Sequence, residues 1–161
     1  TFVAPISRLE IMIGKTLGGA TVASIQGVLV FLISLLLGFR PASVALLPLA
    51  LLFILLMAVL FSALGTTIAA RLDDMQGFPL IINFVIQPLF YLSGAMFPLV
   101  GLPRAFEVIT KLNPLSYGVD GLRYAFGVPA VFSPGLSLGV LLGVTVFTML
   151  IGLYQFSKIE L

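Results

Sequence analysis

The stretch VALLPLALLFILLMAVLFSALGTTIAA, residues 44–70, holds no charged side chain and no polar one before Ser62. About 20 such residues in an α-helix cross the hydrocarbon core of a bilayer. Extended or irregular backbone at that depth would leave N–H and C=O groups without partners, so a helix is the form this stretch can take. It sets the fold class as all-α, a polytopic membrane helix bundle.

The pattern repeats outward from that stretch. Between Lys15 and Arg40 lie 24 uncharged residues, between Arg40 and Arg71 30, between Asp74 and Arg104 29, and between Arg123 and Lys158 34. Four long gaps predict four transmembrane helices, at 17–39, 44–70, 78–97 and 136–156. The first is rich in small residues (Gly18, Gly19, Ala20, Ala23, Ser24, Gly27) that let helix backbones approach closely. The last opens on Gly135, Gly139 and Gly143, a doubled GxxxG face. A tight polar loop, Arg71-Leu72-Asp73-Asp74, separates the second from the third. The third carries Pro88, which predicts a kink or local unwinding near its middle.

Composition agrees. Of 161 residues 60% are apolar and 9% charged, against roughly 25% charged in an ordinary soluble domain. The net charge is +2, but the basic residues stand singly at helix ends. They read as membrane-edge anchors, and no nucleic-acid partner is implied. Cysteine and histidine are both absent. That removes disulfides, thiolate or imidazole metal sites, and nucleophiles that depend on a histidine base. No catalytic residue and no metal site is therefore read in the chain. Gly14-Lys15-Thr16 resembles the end of a phosphate-binding loop, yet Leu9 stands where that motif needs glycine and no strand precedes it. Ser93 lacks a base and reads as packing. The chain begins at Thr1 without a signal-peptide pattern, so we expect an internal or C-terminal portion of a longer protein.

Two segments outside the spans are informative. Residues 1–16, TFVAPISRLEIMIGKT, place Ile6, Leu9, Ile13 and Leu17 on one helical stripe with Arg8 and Lys15 nearly opposite, an amphipathic helix of the membrane boundary. In residues 98–135, Pro103 can start a short helix, RAFEVITKL, which Asn113-Pro114 ends. Asn113 then caps a second short helix with Pro114 at its first position. Leu115, Val119, Leu122 and Phe126 form its apolar stripe, and Tyr117, Asp120, Arg123 and Tyr124 the other side. Neither helix is long enough to cross a bilayer, which fits a hairpin that dips into the membrane edge and returns. Asp120 and Arg123, spaced i,i+3, can pair.

Within the third span Gln76, Asn83, Gln87 and Tyr91 share a stripe about 80° wide. Amides facing lipid are costly, so these face protein or a water-filled path. Interhelical hydrogen bonding and a substrate path both remain open on the residues alone. Gln26, a lone polar residue in the first span, reads as packing. Orientation is not legible from charge: Arg8, Lys15, Arg71 and Lys158 would lie on one side and Arg40, Arg104, Lys111 and Arg123 on the other, a tie.

The order of the pieces adds more. The segment APISRLEIMIGK precedes a Gly/Ala-rich span, and later comes FYLSGAMFPLVGLPRAFEVITKLNPLSYGVDGLRYAF. Together these resemble the C-terminal two-thirds of an ABC-2 type transporter permease, the membrane subunit of bacterial exporters of the daunorubicin-resistance kind. The resemblance implies six membrane helices, of which the four spans here would be the third to sixth. It implies that 1–16 and 71–74 are cytoplasmic and 98–135 external, in a multi-pass protein of the plasma or inner membrane. It also implies that 1–16 is a coupling helix meeting a separate ATP-binding cassette subunit through Ser7, Arg8 and Glu10. No cofactor would be bound by this chain, ATP and Mg belonging to that partner. A second permease copy, in a homo- or heterodimer, would face the first, with Asn83, Gln87 and Tyr91 along the path. The external re-entrant hairpin would carry Asn113, Pro114, Tyr117, Asp120 and Arg123. The implied function is ATP-driven export of a drug, lipid or polysaccharide-type substrate. An ion-coupled secondary transporter is the alternative, against which counts the lack of any ionisable residue at the centre of a span.

Overall fold

The computed structural model of the chain describes residues 8–70, 77–96 and 103–158. Residues 1–7, 71–76, 97–102 and 159–161, and with them Ser7, Gln76 and the Arg71–Asp74 loop, lie outside the described residues. Every regular element among the described residues is helical. Helix α1 spans Arg8–Leu36 and α2 Leu47–Ala69, entered through a 3₁₀ turn at Val44–Leu46. A composite helix follows: α3 (Gly77–Ile81), a π-helical turn (Ile82–Ile86) and α4 (Gln87–Tyr91). Helices α5 (Arg104–Leu112), α6 (Pro114–Ala125) and α7 (Pro134–Lys158) complete the chain.

Among the described residues three helices are long and apolar enough to cross a membrane: Glu10–Leu36, Val44–Ala69 and Pro134–Phe156. The expected third span at 78–97 is described only as the shorter apolar helix Gly77–Tyr91. At about 1.5 Å per residue its fifteen residues reach ~22 Å, short of the ~30 Å core. Its form answers to Pro88. Proline has no N–H and its ring collides with the carbonyl four residues back. Widening the preceding turn relieves that collision, and the Gln87 N–H reaches back five residues to the Ile82 carbonyl.

Helix α2 runs between α1 and α7 and packs on both. Phe53, Leu60, Tyr117 and Leu141 form the buried cluster, with Leu56, Phe61, Leu122 and Val144 against it. The seams are made of small residues. A methyl on Gly19 would run into Ser62, whose hydroxyl donates to the Thr16 carbonyl at 2.7 Å. A methyl on Gly152 would meet Met12 and Thr67. Outer faces carry large apolar side chains such as Val22, Ile25, Val146 and Phe147. A patch of that extent in water would drive association; in lipid it is the solvent-exposed face.

Two expectations change. The segment ending at residue 16 is not a separate helix over its described part, because α1 continues from Arg8 without a break. Its inward face is Met12, Thr16 and Ala20, while Leu17 is 55% exposed. Among the described residues the doubled GxxxG of α7 is not a packing face: none has an atom within 4 Å of where a methyl on Gly135, Gly139 or Gly143 would sit. The reason is common to both. Lipid is as apolar as leucine, so large apolar residues gain nothing by turning inward, and close packing selects whichever small residues meet a partner.

Candidate functional site

The polar atoms of the bundle converge where α4 ends. The last four carbonyls of a helix lack intrahelical partners and must find others when buried. Here they find side chains. The Leu92 N–H still reaches the Pro88 carbonyl at 3.0 Å, and the Phe90 carbonyl accepts from the Ser93 N–H at 3.2 Å and the Ser93 hydroxyl at 2.6 Å. The Leu89 carbonyl accepts from Asn113 Nδ2 at 2.6 Å, and the Leu92 carbonyl from Thr110 Oγ1 at 3.3 Å. Arg123 Nη2 donates to the Gly94 carbonyl. Gly94 has φ +84°, a left-handed conformation that closes the helix and suits a residue without Cβ. Ser93, Thr110 and Asn113 are all buried. The SG step, the NPLSY break and the arginine of GLRYAF, which lie up to thirty residues apart in sequence, therefore meet at one joint.

Asn113 is central to it. Its Oδ1 accepts from the Leu115 N–H at 3.0 Å, capping α6, while its amide closes α4. Pro114 follows at the first helical position, where its missing N–H is not needed. Tyr117, stacked on Phe132 at 4.5 Å between ring centroids, donates its hydroxyl to the Lys111 carbonyl at 2.8 Å and so closes α5. Outside the joint, Lys111 donates to Glu107 at 2.7 Å, and that carboxylate raises the lysine above its usual range.

Asp120 and Arg123 do not pair. Asp120, 1% exposed, accepts from the Val131 N–H at 2.9 Å and the Phe132 N–H at 2.6 Å. It staples the α6–α7 loop to α6, while Arg123 turns to Gly94. On an i,i+3 spacing both outcomes are sterically open, and the carboxylate goes where two adjacent backbone donors converge on it. The inward face of α6 is likewise Ser116, Tyr117, Gly118, Asp120, Gly121 and Ala125, not the larger aliphatic stripe.

Glycines set the depth of α6. A methyl on Gly118 would run into Met57, one on Gly121 into Phe53, and one on Gly127 into Ala42. The order is antiparallel: α6 starts beside the middle of α2 and climbs toward its N-terminal end, where the Ala42 N–H meets the Phe126 carbonyl at 3.2 Å. Met57 lies ten residues past Leu47, roughly 15 Å along α2.

The other candidates stand apart from the joint. Asn83, Gln87 and Tyr91 are exposed along the composite helix, which is not packed along α1, α2 or α7 and is held mainly through its C-terminal end. Asn83 falls inside the π turn. Glu10 is exposed in the first turn of α1, which begins at Arg8. Gln26 overlooks an apolar groove between α1 and α2. Ser93 and Thr110 were not singled out as joint residues by sequence reasoning. Their signal was a hydroxyl in apolar surroundings, but the partners are main-chain carbonyls that no sequence pattern marks.

The ABC-2 type transporter family model matches residues 1–127. The chain is 36% identical over 127 residues to the inner membrane transport permease YadH of Escherichia coli K12, a match covering 77% of this chain and 48% of that protein. It is 34% identical over 133 residues to nodulation protein J of Rhizobium meliloti, covering 82% and 50%. Against the putative transport permease ycf38 of Porphyra purpurea it is 28% identical, across 96% of this chain and 56% of the relative. The chain spans about half the length of the curated relatives it matches. No solved structure matches it significantly.

Proposed function

This chain belongs to the ABC-2 type transporter family, and on that premise we propose that it is part of the membrane permease subunit of an ATP-driven transporter in the inner membrane. The relatives named as transport permeases support that reading. The observation that carries the mechanism is the composite helix Gly77–Tyr91. It exposes the amides of Asn83 and Gln87 with the Tyr91 phenol, and its C-terminal end is tied to α5 and α6 by side-chain hydrogen bonds.

In this reading Gly77–Tyr91, continued through the residues that follow it, is a fourth span. Asn83, Gln87 and Tyr91 line a path shared with a second permease copy. Helices α5 and α6 form an external re-entrant hairpin, with residues 1–16 and 71–74 on the cytoplasmic side. The depth of α6 beside α2 supports re-entry, since Asn113 and Pro114 would lie well within the membrane. An ATP-binding cassette subunit, holding ATP and Mg, would press on the start of α1 through Ser7, Arg8 and Glu10. Because α1 is unbroken from Arg8 to Leu36, such a push would move the whole helix and the α2 seam with it. The joint would pass that motion between the path helix and the hairpin. The substrate would be a drug, lipid or polysaccharide-type molecule, and this chain would perform no chemistry on it.

The test uses the full-length permease. It should co-purify with an ATPase, and Arg8→Cys should crosslink to that subunit in at least one nucleotide state. These 161 residues hold no cysteine, and any cysteine in the rest of the permease is first changed to serine. A permease that retains transport with no ATPase bound, or no crosslink in any nucleotide state, overturns the reading in favour of an ion-coupled carrier or another docking surface.

A further inference from the structure

Between α1 and α2, beside the end of α6, runs an open groove of about 830 Å³, within the ~300–1,000 Å³ of typical small-molecule sites. Ala23, Gly27, Val30, Ile54, Phe61 and Phe126 are among its walls. Gly27 lets the floor close, since a methyl there would stand 2.9 Å from Ile54 Cγ2. Polar side chains are few: Ser34 donates to the Val30 carbonyl at 2.8 Å, which leaves the Gln26 amide.

Two features say what fits. From Ala23 to Leu37 the groove follows α1 and its last turn for roughly 21 Å, close to the ~20–22 Å of one leaflet with its headgroup region. Its far end is walled by Phe39, edge-on to Phe126 with centroids 5.3 Å apart. The next residue is Arg40, exposed, with no acidic partner among the described residues. A slot one leaflet long, apolar along its walls, whose end wall Phe39 is followed directly in sequence by an exposed arginine, matches a lipid with an anionic head. Guanidinium binds phosphate through paired N–H donors.

We propose that this groove holds an acyl chain of one anionic phospholipid, with Arg40 at the phosphate. The site depends on the bundle lying in a bilayer and not on the transport reading, so it stands or falls separately. A single basic residue near a membrane surface favours anionic lipid by an amount equivalent to about fivefold in binding.

Fluorescence quenching by brominated lipids tests it. The full-length permease, with any native tryptophan changed to phenylalanine, is given Val30→Trp in the groove or Phe147→Trp on the outer face of α7, and reconstituted in lipid of defined composition. Val30 and Phe147 are similarly exposed, at 64% and 63%. Leu37→Trp, at the exposed end of the groove, serves as a second probe should Val30→Trp fold poorly. The groove tryptophan should be quenched by brominated phosphatidylglycerol at about one-fifth the mole fraction needed with brominated phosphatidylcholine. Arg40→Gln should abolish that preference, Arg40→Lys should retain most of it, and the α7 tryptophan should show none. Equal quenching by both lipids at the groove means ordinary boundary lipid and overturns the proposal. Absence of quenching there by either lipid also overturns it, meaning that another helix of the subunit or a second copy fills the groove.

Discussion

Asn113 donates through Nδ2 to the carbonyl of Leu89 at 2.6 Å while its Oδ1 accepts from the N–H of Leu115. One side chain thus ends the helix of the proposed path and begins the helix of the proposed hairpin. Asn113→Ala should remove an N-cap, about 1 kcal/mol, and leave the partly buried Leu89 carbonyl unsatisfied, a further ~1–3 kcal/mol. Thermal unfolding of the purified permease in detergent should show a loss of about 2–4 kcal/mol in total. Asn113→Asp should not rescue it, because a carboxylate keeps the cap but cannot donate to Leu89.

Asp120 holds the α6–α7 loop through the N–H groups of Val131 and Phe132. Hydrogen bonds to a charged group contribute about 1.5–3 kcal/mol. Asp120→Ala should therefore destabilise the fold measurably and free the loop locally. Chymotryptic cleavage at Phe132 should speed up in the variant under conditions where the parent protein stays intact.

Glycine positions separate packed seams from open faces. Gly121→Ala forces a methyl into the Phe53 ring, and overpacking of this kind costs about 1–3 kcal/mol. Gly139→Ala meets no atom within 4 Å among the described residues and gains helix propensity, so the folded subunit should tolerate it. Unfolding in detergent should rank the two in that order. If Gly139→Ala weakens only the assembled permease, measured by its oligomer mass, the face serves an intersubunit contact.

The path reading makes a chemical prediction about neighbours in sequence. Asn83 and Phe84 are both exposed, Phe84 at 76%. In the cysteine-free background, Asn83→Cys and Gln87→Cys should react with a water-soluble thiol reagent in membranes. Phe84→Cys should react chiefly with a lipid-soluble one. Reaction of all three only with the lipid-soluble reagent would exclude a hydrated path along this helix.

Pro88→Ala returns an N–H to the turn that the π segment now bypasses. The helix should become regular and the protein should gain stability, by up to ~3 kcal/mol. Regular winding also rotates Asn83 relative to Gln87, so the labelling pattern just described should change at Asn83 while that at Gln87 stays.

Uncharged runs longer than a bilayer needs, as at 44–70, left helix as the only satisfied backbone, so the membrane class was settled by sequence alone. The Asn113-Pro114 break was equally legible, because capping is a local matter of a side-chain oxygen and the next two N–H groups. Tertiary structure decided the rest. Met12, Thr16 and Gly152 turn inward while Leu17, Gly139 and Gly143 do not, since lipid offers no hydrophobic ranking and contact depends on what stands opposite. Asp120 and Arg123 part company because their partners, the N–H groups of 131 and 132 and the carbonyl of Gly94, are backbone atoms that any residue type supplies. The joint at the end of α4 was invisible for the same reason. Donors can be read from residue types, but an orphaned carbonyl acquires an address only when the helices are packed.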